Sequence, residues 1–379
     1  MRGRSNAEPV VSSASAACPV VVAIPVRDEE DRIAPCLYGL AAQTGRTVDH
    51  VVLLLNNCTD RTAARVDDLA PVLPFGLTVA HRIFSPAVAH VGTARREAME
   101  IAGRIAGPDG ILLTTDADGV VAPDWISQTF AAFDTGVDVV CGRAEIDPEE
   151  ARAIPAYLHR QEAEEIAYGT LLDRLYHLLD PDPHDPWPRH TEHSGASIAV
   201  TVRAWRRAGG IPPQPLGEDR GFMAALRRID APIRHAPGVT VTVSGRLAGR
   251  ARGGMADTMA RHVIRQDTQL DDALEPTADC LRRAMARAAL RRLRDLSVCG
   301  RDRADTARQL ADMLRIPADA LARPLAGHTF GAAWESLERC SPSLHRRRVL
   351  RRDLAEQHAM AQAMIDDLVM EMGHGRSVA

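Results

Sequence analysis

Gly110–Val121 reads GILLTTDADGVV. A short apolar run closed by acids reads as a strand buried on both faces, with its carboxyl end open to a polar site. Asp116 and Asp118 stand one residue apart at that end. Such a pair can hold a divalent cation against a diphosphate, because hard oxygen ligands suit Mg2+ or Mn2+. These ions bind through one or two carboxylates plus substrate phosphates. Taken alone, the Asp116-Ala117-Asp118 triplet is equally a turn or a helix cap.

Working outward, the flanking chain alternates strand and helix. Residues 19–25 (PVVVAIP) and 50–55 (HVVLLL) are continuous apolar runs that read as buried strands. Between them, residues 28–42 carry helical spacing, with Ile33, Leu37 and Leu40 on one face. Asn57 to Asp60 offer cap residues for a helix to Leu69. Residues 77–83 and 137–141 read as further strands, 93–106 and 123–133 as helices. Repeated βα units predict an α/β, Rossmann-like, mainly parallel sheet flanked by helices, with its site at the carboxyl ends of the strands.

Beyond 145 the pattern changes. Residues 148–179 read as one amphipathic helix, with Tyr157, Leu158, Leu171, Leu172, Leu175 and Leu179 as core candidates. Residues 180–191 (DPDPHDPWPRHT) are too rich in proline for regular structure. Strands are expected at 196–201 and 239–243, a helix at 218–229, and a glycine- and arginine-rich loop at 244–254. From 255 onward the chain reads as helices only, an all-helical C-terminal extension. The expected divisions are a disordered leader at 1–18, a nucleotide-binding half at 19–145, an acceptor half at 146–254 and the extension at 255–379. Basic runs such as Arg282-Arg283, Arg291-Arg292 and Arg346 to Arg348 read as solvated faces, the sharper reading being an anionic membrane-docking face.

Composition narrows the function. The 379 residues are 45% hydrophobic and 25% charged, with a formal net charge of −4. That balance gives no sign of general nucleic-acid binding, which usually shows as a basic domain. Every basic residue is Arg, a usage that fits a GC-rich bacterial genome. The lack of Lys removes Schiff-base chemistry and the phosphate-gripping lysine of a P-loop. Seven scattered Cys without a C-x-x-C argue against a disulfide framework and a Cys-rich zinc site, and suit a reducing cytoplasm. No apolar run approaches the ~18–20 residues of a membrane span, so a lipid acceptor would be met at the periphery of the inner membrane.

Four segments then fall in a telling order: VAIPVRDEE at 22–30, VVLLLNNCTDRT at 51–62, VGTARR at 91–96 before the DAD triplet, and LGEDRGF at 216–222. This order resembles glycosyltransferase family 2, enzymes of the GT-A fold. The resemblance covers roughly residues 20–250, about 60% of the chain, and leaves the C-terminal helices unexplained. It implies an inverting, metal-dependent transferase that moves a sugar from a nucleotide-sugar donor to an acceptor hydroxyl. By the same resemblance Pro25, Val26, Arg27 and Glu29 lie along the nucleotide, and Asn56, Asn57 and Asp60 match the second motif. Arg95 approaches the base or diphosphate. Asp116 contacts ribose and metal, and Asp118 is the main ligand of Mg2+ or Mn2+. Asp219 is the general base, with Glu218 beside it. His193 and Gly195 fall where the family often places acceptor residues. Trp205, like Trp187, reads from its ring alone as a sugar-stacking acceptor contact or equally as core.

Leu55 departs from the pattern. Many uridine-using members carry Asp there, and a leucine cannot accept a hydrogen bond from uracil, so GDP or another donor stays open. Arg246, Arg250 and Arg252 sit in a flexible glycine-rich loop that reads equally as a solvated loop or as one that closes over the diphosphate. The acceptor is a small molecule, a saccharide or a lipid-linked sugar. The C-terminal helices are compatible with a cover for the acceptor cleft, a homodimer interface or a membrane contact. Three rivals are weaker. A haloacid-dehalogenase-like phosphatase (DADGV at 116–120) lacks its lysine. A sugar-nucleotide pyrophosphorylase lacks its glycine-rich basic loop. A non-catalytic binding module is at odds with the presence of Asp116, Asp118 and Asp219 together.

Overall fold

The structure, a computed structural model, describes residues 18–246, 270–295, 297 and 299–376. The leader up to 17, Arg250, Arg252 and the segment to 269 lie outside the described residues.

The first half is the expected βα series: β1 (Val20–Val26), α1 (Ile33–Ala41), β2 (His50–Asn56), α2 (Thr62–Leu69), β3 (Gly76–Arg82), α3 (Val91–Ala106), β4 (Ile111–Thr114), β5 (Val120–Val121), α4 (Trp125–Phe133) and β6 (Val139–Ile146). Alternation explains why β1 could be apolar throughout. Val20, Val22, Ile24 and Val26 enter one core with α1 and α4, while Val21 and Ala23 enter a second core against α3.

The region read as one helix at 148–179 is two, α5 (Pro148–Ala151) and α6 (Ala156–Leu179). Pro155, which has no N–H and a fixed φ, forces the break. Then come β7 (Ile198–Thr201), α7 (Val202–Arg207), α8 (Glu218–Arg228) and β8 (Ile233–Val243). The eight-stranded sheet has the order β3-β2-β1-β4-β7-β6-β8-β5. β3, β2, β1 and β4 are mutually parallel, but β7 runs antiparallel to both β4 and β6, and β5 antiparallel to β8. The sheet is therefore mixed beyond β4. The reversal of β7 sets the segment before it at the carboxyl end of β4 and α7 at the opposite end.

The α-helices of the remaining described residues are α9 (Thr277–Arg294), α10 (Gly300–Leu314), α11 (Ala322–Ala326), α12 (Phe330–Cys340) and α13 (Leu354–Arg376). α9, α10 and α12 close their own core around Leu290, Leu310, Leu314, Trp334 and Leu337. α6 packs with this region: Tyr168, Leu172 and Leu175 share a cluster with Cys280, Ala361 and Ile365. The cores therefore do not divide at the 254/255 boundary. The basic runs of α9 are also not simply solvated. Arg283 is 3% exposed and donates to Glu275 and Glu338, and Arg287 and Arg291 both pair with Asp180. Acids from nearby Glu275 and from the distant Asp180 and Glu338 draw Arg283, Arg287 and Arg291 into ion pairs, while Arg292 stays exposed. Among the described residues no helix is long and apolar enough to cross a membrane.

Candidate active site

Three segments far apart in sequence meet at the carboxyl end of β4, and Arg95 joins them. It sits early in α3 and is 3% exposed. Its Nη1 donates to Thr114 Oγ1 (2.7 Å) and to the Gly195 carbonyl (2.9 Å). Its Nη2 meets Asp116 Oδ1 at 2.6 Å and its Nε meets Glu218 Oε1 at 3.2 Å. Burial opposes its charge, but Asp116 and Glu218 more than offset that and hold the guanidinium ionised. The family resemblance implied an Arg95 that approaches the base or diphosphate. Its guanidinium is instead committed to four protein acceptors, and it positions the acids around it.

Gly195 is required at its place, because a Cβ there would stand 2.8 Å from the Arg95 guanidinium carbon. Its N–H donates to Asp219 Oδ2 (3.3 Å). Asp219 and Glu218 open α8, whose N-terminal end favours acids. Gly217 turns the chain into that helix at φ 71°, a left-handed conformation that favours glycine. Glu218 is 5% exposed, whereas Asp219 is partly exposed. Asp219 is thus the member of the pair that a substrate can reach.

Asp118 lies in the turn between β4 and β5. Burial pushes its carboxyl up to about 6, the like charge of Asp116 adds to this, and Arg246 opposes it. Arg246 Nη2 lies 3.0 Å from Asp118 Oδ2, and its Nη1 donates to Glu29 Oε2 (2.9 Å). Glu29 therefore faces a protein cation, where the resemblance implied a nucleotide contact. Sequence reasoning missed the anchor behind Arg246. Glu150 accepts from Ser244 Oγ (3.0 Å), Gly245 N–H (2.6 Å) and Arg32 Nη2 (2.6 Å). A glutamate in a one-turn helix carries no local mark of that role.

The loops after β1 and β2 brace one another. Glu29 N–H donates to Thr62 Oγ1 (2.8 Å), and Asp60 accepts from the N–H groups of Thr62 and Glu30, both at 3.0 Å. Asn57 clamps the Phe84 backbone in both directions, at 3.0 and 3.1 Å, so its amide is spent on the fold. Val26 is core, 1% exposed, and offers only backbone. Pro25 is partly exposed, and Arg27 donates to the Ala89 carbonyl (3.3 Å). Asn56 differs from these. It is 3% exposed, and its Oδ1 has no hydrogen-bond partner among the described residues.

Trp205 is not at this end. It comes after β7, and the reversed strand pairs Thr201 with Ile111 at the start of β4, away from Asp116. There the indole packs on Gly103 of α3 and on Gly210. Trp187 lies with the Arg174 guanidinium 4.8 Å from its ring centroid.

His193 and His190 precede β7 and stay at the site end. Burial, with Arg227 second, lowers His193 to about 4; burial, with His235 second, lowers His190 to about 3. His190 Nδ1 accepts the Glu192 N–H (3.2 Å), as a neutral imidazole does. Both folded values lie below the unfolded pKa near 6.5. Below that pH the unfolded chain binds protons that the folded chain refuses. Stability should therefore be complete above pH ~6.5 and fall on acidification toward pH 5, with a slope approaching about two protons. Urea midpoints at pH 7.5 and 5.5 check this: the loss should be smaller in the His190→Gln, His193→Gln double variant.

The carboxylates also pass a test for metal fit. Asp116 and Asp118 each commit one oxygen to an arginine and keep the other. Among the described residues no group of three or more His, Cys, Asp or Glu could hold a metal by itself. Two carboxylate oxygens suit Mg2+ or Mn2+ that completes its shell with substrate phosphates and water.

The family model for Glycosyl transferase family 2 matches residues 21–186, from β1 through the Asp116-Ala117-Asp118 turn into the proline-rich loop. This segment is similar to glycosyl transferase family 2 over somewhat under half of the chain. The Asp116–Asp118 turn at the end of β4 lies inside it, and Glu218 and Asp219 on α8 lie beyond it. Solved structures that resemble it include S. aureus TarS 1-349 in complex with UDP-GlcNAc (TM-score 0.46, 16% identity, covering 84% of this chain and 90% of that one). Another is the mannosyltransferase PcManGT from Pyrobaculum calidifontis in complex with GDP-Man and Mn2+ (0.42, 18%, 92% and 87%). A third is glucosyl-3-phosphoglycerate synthase from Mycobacterium tuberculosis in complex with Mn2+, UDP and glucosyl-3-phosphoglycerate (0.37, 17%, 66% and 78%). Against the longer S. aureus TarS structure the match spans about half, 47%, of that chain. No curated protein matches the sequence.

Proposed function

We propose that this chain transfers a sugar from a nucleoside-diphosphate donor to an acceptor hydroxyl, with inversion and with a divalent cation at Asp118 and Asp116. One observation carries the reading. Arg95 and Gly195 bring the Asp116–Asp118 turn and the Glu218-Asp219 pair, about 100 residues apart, to the same end of the sheet.

Asp118 and Asp116 would hold Mg2+ or Mn2+, and the bound cation supplies neutralisation of charge on the leaving nucleoside diphosphate. Asp219 accepts the proton of the acceptor hydroxyl, which attacks the anomeric carbon from the face opposite the nucleotide. Gly195 N–H and the α8 N-terminus hold that carboxylate in place. His193 and Gly195 line the acceptor side, where His193 stays neutral at pH 7. Leu55 is 2% exposed within the core and offers the base nothing. The Asn56 Oδ1 beside it can accept a base N–H, which leaves both UDP and GDP sugars open as donors. By proposal the acceptor is a saccharide, a small molecule or a lipid-linked sugar met at a membrane surface.

Calorimetric titration with UDP and GDP, with Mn2+ and with EDTA, tests the reading. At least one nucleotide should bind with metal dependence, and Asp118→Asn should remove that dependence while the protein remains folded. Binding of neither nucleotide in the presence of metal would refute it.

A further inference from the structure

We propose that Arg246 is an exchangeable counter-cation of the donor site: it holds Asp118 while no donor is bound, and turns to the donor diphosphate when a divalent cation takes Asp118. This rests on the reading of Asp118 as a metal ligand, and it assigns Arg246 a place in donor binding.

The two arginines of the site are held differently. Arg95 is buried and has Thr114 Oγ1 and the Gly195 carbonyl as partners besides its acids, so its position is set by the fold. Among the described residues the side-chain partners of Arg246 are carboxylates only, Glu29 (2.9 Å) and Asp118 (3.0 Å). Its side chain is 20% exposed, as is that of Asp118. The backbone behind it is anchored, since Arg246 N–H donates to Ser244 Oγ (3.2 Å) and both Ser244 and Gly245 are held by Glu150. A rotation of the side chain alone can therefore change its partner. The tether keeps it at the edge of the site, beside the acidic cleft lined by Asp28, Glu29, Asp60 and Arg246 itself.

Charge then orders the exchange. A divalent cation on the free oxygen of Asp118 would stand close to a guanidinium held on Oδ2 of the same carboxylate, and their like-charge repulsion is strong in a partly buried site. A diphosphate delivered with the metal brings anionic oxygens to the same place, and a planar guanidinium matches phosphate oxygens in pairs. Glu29 is the carboxylate left to Arg246 after metal binding. It orients the guanidinium rather than competing for the metal.

The exchange makes two expected effects opposite in sign, which a residue that merely supports the fold would not produce. Bare Mn2+ must displace Arg246 from Asp118, so Arg246→Ala should bind Mn2+ alone about tenfold more tightly. The same variant should bind UDP or GDP, at saturating Mn2+, about tenfold more weakly. Free Mn2+ can be followed by electron paramagnetic resonance and nucleotide binding by calorimetry. Arg246→Gln, which keeps more of the side-chain volume, serves as second variant and should move both constants the same way as Arg246→Ala. Unchanged constants, or both moving together, would overturn the exchange. Absence of any Mn2+-dependent nucleotide binding in the unaltered protein would instead overturn the metal-site reading, and the exchange with it.

Discussion

Asp219→Asn should lower the rate of transfer by about 10²–10⁴-fold, the usual contribution of a positioned general base. Nucleotide affinity in the presence of Mn2+ should change by less than about twofold. The asparagine keeps the shape and can still accept one of the two N–H groups, from Gly195 or Arg220, that now bind the carboxylate. Loss of the second acceptor costs about 1 kcal/mol of stability, so the variant should remain folded. Release of nucleoside diphosphate in the presence of acceptor measures the effect. Transfer within tenfold of the unaltered protein would sink the base assignment. Glu218→Gln should behave differently. Its carboxylate is buried against Arg95, so the change should show mainly as lost stability and as displacement of Arg95.

The second large effect is expected at Arg95 itself. Arg95→Met removes the cation and leaves buried Glu218 and half-buried Asp116 without their partner. Breaking a buried pair in this way costs ~3–5 kcal/mol, because an uncompensated charge stays behind. The melting temperature should drop on the order of 10 °C, and donor binding should weaken as the Asp116–Asp118 turn loses its tie to α8. Arg95→Lys should not rescue it, since one ammonium cannot span Thr114, Asp116, Gly195 and Glu218. Adding Glu218→Gln to Arg95→Met should recover part of the lost stability, and the double-mutant cycle measures that coupling. Additive losses would mean that Arg95 acts by packing rather than by charge.

The residues behind these two effects are not equally legible in the sequence. Asp219 and Glu218 stand out as an acidic pair opening a helix about 100 residues after the Asp116–Asp118 turn. Their link to that turn does not. Arg95 reads as a donor contact only through the family resemblance, by its match to a basic residue that approaches the base or diphosphate. Only the packing of α3 against β1, β2 and β4 shows its guanidinium inside the protein. Asn57 differs from its sequence reading in the same way: its φ of 51° and its clamp on Phe84 belong to the turn that β2 and β3 make together. Trp205 is displaced for a topological reason. The alternation of strand and helix predicts parallel strands, and β7 runs backwards.

The sequence by itself determined the βα series, the apolar strands buried on both faces, and the acids at the end of β4. These arise from local period and residue type, which act over a few residues. Tertiary structure alone decided which acids meet which arginines, that β7 reverses, that α6 packs with the C-terminal helices, and that Arg246 lies between Glu29 and Asp118. Those outcomes depend on pairings between separate elements, from 21 residues apart for Arg95 and Asp116 to 217 for Glu29 and Arg246. Burial makes such pairings energetically decisive, and no local pattern encodes them.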